Sequence, residues 1–193
     1  MNPSSDYKTT IALIGMPGAG KSTVGVILAK LTARGFIDTD VLIQMSEQRS
    51  LQEIIDSEGY LVLRSREERV LLGLECRGHV IATGGSAVYS HAAMEHLRAH
   101  GTIVFLDADL PTLESRVRDF GTRGIAQRPG QGFADLFEER RPLYLAYADI
   151  VVPCSGLTQE MVCAAIIDEL RRHSPAPGLR GGDWRKAGRG GAE

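Results

Sequence analysis

Residues 15–23 read GMPGAGKST and match the phosphate-binding loop pattern G-x-x-x-x-G-K-[ST] at every required position. Before them, residues 11–14 form a short, continuously apolar run, which is typical of a buried parallel strand. After them, residues 24–32 place apolar side chains on one face of a predicted helix. Because both flanks fit, the stretch predicts a nucleoside triphosphate site rather than an ordinary glycine-rich turn.

The loop has the chemistry that a triphosphate needs. Its glycines leave room for backbone N–H groups to close around phosphate oxygens, and the helix N-terminus adds partial positive charge. The Lys21 ammonium is expected to reach the β- and γ-phosphates, and the Ser22 hydroxyl to ligate Mg²⁺. The predicted nucleotide-binding residues of the loop are Gly18, Ala19, Gly20, Lys21, Ser22 and Thr23.

Size and composition exclude several classes of protein. With 193 residues, the chain can bury one core but is short for two full domains. A formal net charge of −2 provides no basic field for nucleic acid, and no apolar run approaches the roughly 20 residues of a membrane span. Residues 1–10 lack the apolar stretch expected of a signal peptide, and three cysteines without paired spacing suit reduced thiols. We therefore predict a cytoplasmic protein that binds neither nucleic acid nor membrane.

Apolar runs alternate with helical patterns along most of the chain. The predicted strands are residues 11–14, 36–40, 80–83, 103–106 and 150–152. This alternation predicts an α/β fold, with a parallel sheet between helices and a ligand at the carboxyl ends of the strands. Gly35 is expected to cap the first helix. Residues 174–193, rich in Pro, Gly and Arg, predict a disordered tail after a single domain of residues 1–173.

Two acidic positions compete for a metal bound beside the phosphates. Asp107 follows the fourth predicted strand and has the form of a Walker-B acid. Asp38 and Asp40 lie two residues apart on the second predicted strand, so their side chains should point the same way. Such a pair suits a phosphoryl transferase, with one carboxylate for the metal and one to orient an acceptor hydroxyl. An Asp at a strand end often caps a turn instead, and the pattern alone leaves both positions open.

Further motifs follow the other strands or lie on helices. They are Asp38-Thr39-Asp40, Arg64, Thr83-Gly84-Gly85 and Arg140-Arg141-Pro142-Leu143-Tyr144. Together with the phosphate-binding loop, they resemble the motifs of the shikimate kinases over about residues 10–172. The resemblance implies a three-layer P-loop kinase fold, like that of the nucleoside monophosphate kinases, with strand order 2-3-1-4-5. It also implies an enzyme that uses Mg²⁺ and transfers the γ-phosphate of ATP to the 3-hydroxyl of shikimate. We expect it to act as a monomer.

The resemblance assigns catalytic and metal-binding roles by position. Lys21 would steady the phosphates, Ser22 would bind Mg²⁺, and Asp38 would hold a Mg²⁺-bound water. The resemblance thus favours Asp38 over Asp107 as the metal acid. Asp40 would hydrogen-bond the acceptor hydroxyls and serve as the catalytic base.

The resemblance also implies a site for the shikimate carboxylate. Arg64, Arg140 and the backbone of Gly84 and Gly85 would bind it, and a guanidinium fork suits a planar carboxylate better than a lysine ammonium does. Glu67 lies three residues after Arg64 on the same helical face, so it is expected to hold that guanidinium in place.

Residues 120–133 occupy the position of the family's mobile lid, which excludes water when it closes. Arg123 would be the catalytic arginine of the lid, and Arg116 would lie against adenine. Arg128 is a competing choice for the catalytic arginine. The family's spacing to Pro142 and to Arg116 favours Arg123.

Three positions depart from the family pattern near the acceptor or the lid. Ser86 stands where a third glycine is usual, Leu63 where Phe is usual, and the lid reads Arg123-Gly124 rather than Arg-Pro. Alternative readings are a gluconate- or nucleotide-directed kinase of the same fold, and a non-catalytic nucleotide-binding paralogue. The paralogue predicts a degraded Lys21 or Asp40, and both residues are intact.

Overall fold

The computed structural model describes residues 9–117 and 124–173. Its strands are β1 (Thr10–Ile14), β2 (Gly35–Asp38), β3 (His79–Ala82), β4 (Gly101–Asp107) and β5 (Ile150–Pro153). Its helices are α1 (Lys21–Leu31), α2 (Thr39–Glu47), α3 (Leu51–Glu58), α4 (Tyr60–Leu72), α5 (His91–His100), α6 (Leu110–Arg116), α7 (Phe133–Tyr147) and α8 (Gln159–His173). A turn of 3-10 helix at Ala87–Tyr89 precedes α5. Every helix in these two ranges is too short or too polar to span a bilayer.

The five strands form one parallel sheet in the order β2-β3-β1-β4-β5, which confirms the predicted order. All residues of the central strand β1 are buried. Since successive side chains of a strand point to opposite faces, both faces of the sheet must be covered. Connections from β1 and β3 leave toward opposite edges, and α/β sheets bind ligands beyond the strand ends at such a point. The phosphate-binding loop lies directly after β1.

Two apolar clusters support this end of the sheet. The larger surrounds the strands and includes Met16 and Ala19 of the phosphate-binding loop. The smaller joins α2, α3, α4 and the segment after residue 124. It consists of Ile43, Ile54, Leu63 and Ala126. This second cluster fixes α2 and α4, the two helices that carry Asp40 and Arg64.

The second strand is shorter than predicted, and Asp40 does not lie on it. β2 ends at Asp38, whose Oδ1 accepts hydrogen bonds from the N–H groups of Asp40 (3.0 Å) and Val41 (3.4 Å). Asp38 therefore caps α2, and Asp40 lies in the first turn of that helix. The expectation that the carboxylates of Asp38 and Asp40 point the same way along a strand is wrong. The Asp38 side chain bonds the backbone N–H groups that follow it, which favours the start of a helix over continued extended backbone.

Gly35 does not cap the first helix. The helix ends in a Schellman motif in which Ala33 takes the left-handed conformation (φ 51°) and the Arg34 N–H donates to the Ala29 carbonyl at 2.9 Å. Gly35 is instead the first residue of β2. A Cβ at Gly35 would lie 2.3 Å from the His79 ring, so close strand packing explains this glycine.

One predicted segment lies wholly outside the described residues, and another lies partly outside them. The first is the predicted tail, residues 174–193, and the second is the predicted lid, whose residues 120–123, which include Arg123, are not described. The rest of the predicted lid, residues 124–132, contains no helix or strand before α7 begins at Phe133.

Candidate active site

A cavity of about 400 Å³ lies where the loops after β1 and β3 meet α2 and α4. It gathers most of the predicted site residues. Those on its wall are Gly18, Gly20, Lys21, Ser22, Thr23, Asp40, Gly84, Gly85, Arg116 and Arg140. Ala19, Asp38 and Arg64 do not line it, and Arg123 lies outside the described residues.

The backbone of the phosphate-binding loop requires glycine at two positions in particular. Gly15 and Gly18 have φ angles of 145° and 86°, a region that side chains rarely adopt. A Cβ at Gly18 would lie 2.6 Å from Val117 Cγ2. The loop leads into α1 at Lys21, and the first N–H groups of a helix have no partner within it. These groups can bind phosphate oxygens at the cavity wall.

Lys21 is buried at the base of the loop. Its Nζ donates to the carbonyl oxygens of Gly15 (2.8 Å) and Met16 (3.0 Å). Burial lowers the pKa of this ammonium to about 8, although the nearby carboxylates of Asp40 and Glu67 favour its charged form. A phosphate group in the cavity would add negative charge beside Lys21 and stabilise the ammonium further.

The structure separates the two acids that compete for a metal. Asp107 forms a two-point ion pair with Arg141, with Nε to Oδ1 at 3.1 Å and Nη2 to Oδ2 at 2.8 Å. Asp38 uses only Oδ1 as the α2 cap, and its Oδ2 accepts no hydrogen bond from the part of the chain that the structure describes. Mg²⁺ needs few protein ligands when phosphates and waters complete its shell. Asp38 therefore keeps one carboxylate oxygen open to a cation, whereas Arg141 occupies both oxygens of Asp107.

Asp40 and Glu67 form a pair of recessed carboxylates on the cavity wall. Removal from bulk water raises the pKa of Asp40 to about 6, while the Lys21 charge opposes the rise. Glu67 is only 3% exposed, and burial together with the Asp40 charge raises its pKa to about 7. A Cβ at Gly84 would lie 2.2 Å from Glu67 Oε1 and 2.8 Å from Asp40 Oδ1, so glycine there leaves room for both groups.

The sequence predicts that Glu67 holds the Arg64 guanidinium, but the structure gives Glu67 a different partner. Its Oε2 accepts a hydrogen bond from the Ser86 hydroxyl, and its buried Oε1 has no partner among the described residues. Arg64 turns instead to Tyr89 and to the Ala126 carbonyl. Helical spacing places Glu67 and Arg64 on one face, but only the tertiary fold brings Ser86 against Glu67. Ser86, which stands where the family usually has glycine, thus supplies a hydrogen-bond donor to the buried Glu67 carboxylate.

Replacing Ser86 with alanine is expected to destabilise the fold in a pH-dependent way. The folded chain keeps the Glu67 proton up to about pH 7, whereas an unfolded Glu loses it near 4.5. Stability therefore falls as pH rises through this window, and the Ser86 hydroxyl offsets part of the fall by stabilising the carboxylate. Urea unfolding at pH 8 should show a loss of about 1–3 kcal/mol for Ser86→Ala, and a smaller loss at pH 5.5. Equal losses at the two pH values would contradict this account of Glu67.

The two predicted carboxylate-binding arginines converge on one carbonyl. Arg140, 1% exposed, donates from Nη2 to the Ala126 oxygen at 2.6 Å, and Arg64 donates from Nη2 to the same oxygen at 3.4 Å. The Arg64 guanidinium also lies 3.6 Å from the centre of the Tyr89 ring. Sequence reasoning missed Tyr89, which follows the Gly84-Gly85 motif in a 3-10 turn without periodicity, and Ala126, which contributes only backbone.

The arginines predicted for the nucleotide side lie apart from one another. Arg116 lines the main cavity and donates from Nη1 to the Gly18 carbonyl at 3.4 Å, so it adjoins the phosphate-binding loop. Arg128 is 61% exposed, pairs with Glu139, and lines a separate cavity of about 250 Å³.

Comparison with known proteins adds independent evidence. A family model described as shikimate kinase matches residues 17–171. A shikimate kinase of Pseudomonas aeruginosa (strain LESB58) is 37% identical over 168 residues, which are 86% of this chain and 98% of that protein. One of Gloeobacter violaceus is 40% identical over 152 residues, covering 77% of this chain and 85% of its own.

Solved structures agree with these sequence matches. A shikimate kinase from Acinetobacter baumannii in complex with shikimate superposes with a TM-score of 0.80 at 30% identity, covering 86% of this chain and 94% of its own. The enzyme from Aquifex aeolicus gives a TM-score of 0.71 at 33% identity, over 84% and 96% of the two chains. The residues matched by the family model include most of the phosphate-binding loop, the carboxylate pair and the arginine pair. The chain is a phosphotransferase, and it belongs to the shikimate kinase family.

Proposed function

We propose that the chain transfers the γ-phosphate of ATP to the 3-hydroxyl of shikimate. The observation that carries this proposal is one cavity whose wall holds the phosphate-binding loop, Asp40 and Arg140. A phosphate site, a base and a carboxylate-binding group are the parts that phosphorylation of a hydroxy acid requires. The proposed acceptor also agrees with the A. baumannii relative, which was solved in complex with shikimate.

In the proposed reaction, Asp40 accepts the proton of the 3-hydroxyl as that oxygen bonds to the γ-phosphorus. The bond from the γ-phosphorus to the leaving ADP oxygen breaks in the same step. Lys21 and the loop N–H groups balance the charge on the phosphoryl oxygens. When bound, Mg²⁺ supplies positive charge to the β- and γ-phosphates, and Ser22 and Asp38 are the residues that would hold it. Gly18, Ala19, Gly20 and Thr23 complete the proposed nucleotide site, with Arg116 beside adenine.

The acceptor side favours a carboxylate over the alternatives. Arg64 and Arg140, with the backbone of Gly84 and Gly85, offer the planar donor forks that a carboxylate prefers. These features argue against a nucleotide acceptor. Lys21 and Asp40 are both intact and line the cavity, which argues against a paralogue that has lost catalysis. We further propose that the protein acts as a cytoplasmic monomer.

Steady-state ADP release with Mg·ATP tests the proposal across shikimate, quinate, gluconate and CMP. We expect strong stimulation by shikimate, because two guanidinium groups and Asp40 match its carboxylate and hydroxyls. Faster turnover with gluconate or CMP than with shikimate would refute the acceptor assignment. ADP release that no acceptor stimulates would contradict phosphoryl transfer to any of them, and absence of ADP release would favour the non-catalytic paralogue.

The pH profile provides a separate prediction. Because burial raises the pKa of Asp40 to about 6, kcat/KM should fall below that pH as the base becomes protonated. We expect about one-tenth of the plateau value one pH unit below the Asp40 pKa. The Glu67→Gln variant should keep this acidic limb, since Asp40 remains. If the acidic limb disappears in Glu67→Gln but persists in Asp40→Asn, the titrating group is Glu67 and this prediction is wrong.

A further inference from the structure

Tyr89 contacts both arginines of the proposed carboxylate site. It ends the 3-10 turn that follows the Gly84-Gly85 motif and is half-buried. Its ring centre lies 3.6 Å from the Arg64 guanidinium carbon and 5.3 Å from that of Arg140. Its hydroxyl oxygen also accepts a hydrogen bond from Arg140 Nε at 3.4 Å. One side chain thus serves two cations in different ways, one through its π face and one through its oxygen.

Glu139 sets the direction of the Tyr89 hydroxyl. The O–H donates to Glu139 Oε1 at 2.6 Å, which leaves the lone pairs of the oxygen for Arg140. The other oxygen of Glu139 accepts from Gln131 Nε2 at 2.7 Å and pairs with Arg128. Glu139 is therefore fixed from the solvent side, and it orients the hydroxyl by a bond that cannot reverse while the carboxylate is ionised.

Without Tyr89 between them, the guanidinium groups of Arg64 and Arg140 would tend to separate. They share the Ala126 carbonyl as an acceptor, and two like charges that close repel one another. Within the described residues, neither Arg64 nor Arg140 forms an ion pair that would fix its position. An aromatic face attracts a cation, and a phenolic oxygen with its proton directed elsewhere is a good acceptor.

We propose that Tyr89 is a positioning residue that holds Arg64 and Arg140 at the spacing required to bind the carboxylate of the acceptor. This inference rests on the proposed function. The carboxylate keeps its charge throughout phosphoryl transfer, so its contacts stabilise the bound substrate and the transition state equally. Loss of Tyr89 should consequently raise KM for shikimate and leave kcat nearly unchanged.

Two substitutions separate the contributions of the ring and the hydroxyl. Tyr89→Phe keeps the face under Arg64 but removes the oxygen that Arg140 uses, and it should raise KM for shikimate by about threefold. Tyr89→Leu removes both and should raise it by about tenfold or more. KM for ATP should stay within about twofold in both variants, because the nucleotide contacts are untouched. Tyr147→Phe is the matched control. Tyr147 also lies near an arginine, and its hydroxyl is 3.1 Å from His91 Nδ1, but it does not line the cavity.

Shikimate methyl ester distinguishes positioning from a general structural effect. The ester lacks the negative charge that the arginines bind, so wild type and both Tyr89 variants should use it with KM values within about twofold of each other. Equal increases of KM for the ester, shikimate and ATP would overturn the inference in favour of a structural role. If Tyr89→Leu does not fold, an unchanged KM for shikimate in Tyr89→Phe would also overturn it. Absence of turnover by the wild type with shikimate would instead refute the proposed function, and this inference with it.

Discussion

Asp40→Asn is expected to lower kcat about 10²–10⁴-fold, the range for general acid–base groups, while the fold and ATP binding persist. Asn keeps the size of the side chain and part of its hydrogen bonding, but it cannot take up a proton. The pKa of Asp40, raised by burial to about 6, leaves this carboxylate mostly ionised near neutral pH yet more basic than an exposed Asp. That balance suits a group that removes the proton of an acceptor hydroxyl.

Asp107→Asn is the matched control for this experiment. Asp107 is the last residue of β4, but its carboxylate is occupied by Arg141 and it does not line the cavity. We expect its kcat to stay within about fivefold of wild type, because a partly exposed ion pair contributes little. A loss smaller than about tenfold for Asp40→Asn would mean that Asp40 only positions the acceptor. A larger loss for Asp107→Asn than for Asp40→Asn would reverse our assignment of the acids.

Arg123→Ala is expected to lower kcat by about 10²-fold or more, within the reach of arginines that stabilise a transferring phosphoryl group. Such an arginine balances charge that develops mainly in the transition state, so kcat should change more than KM. Arg123 lies outside the described residues, and its assignment rests on its spacing from Arg116 and Pro142.

Arg128→Ala is the paired comparison, and its expected effect on kcat is within about fivefold. Arg128 pairs with Glu139 on the surface, faces the smaller cavity and is 61% exposed, so it lies apart from the phosphate-binding loop. Steady-state kinetics of both variants, with ATP and the acceptor each varied, give the comparison. If Arg128→Ala loses more kcat than Arg123→Ala, the lid has been aligned incorrectly.

The sequence predicted the elements whose chemistry is local. The phosphate-binding loop is defined by glycines and one lysine over nine residues, and it lies between β1 and α1 as expected. Strand order is not local, and its prediction came from the resemblance alone. The prediction of element boundaries fails where a side chain can either continue a strand or cap the helix that follows. At Asp38 the cap ended the strand and moved Asp40 onto α2.

The unpredicted parts of the site depend on contacts between distant segments. Ser86 reaches Glu67 across 19 residues, and Arg140 reaches the Tyr89 hydroxyl across 51. No hydrophobic period or motif spacing encodes such a contact, because it exists only after the fold has brought the segment after β3 against α4 and α7. Glu67 illustrates the limit, since helical spacing pointed to Arg64 while the tertiary fold supplied Ser86.

Identification of the product by ³¹P–¹H correlation NMR tests the central proposal most directly. The protein is incubated with Mg·ATP and shikimate, and the phosphorus signal of the product is correlated with the ring protons. We predict a phosphate ester coupled to the proton on carbon 3, with ADP formed in equal amount. Coupling to the proton on carbon 4 or 5, or release of inorganic phosphate without an ester, would contradict transfer to the 3-hydroxyl.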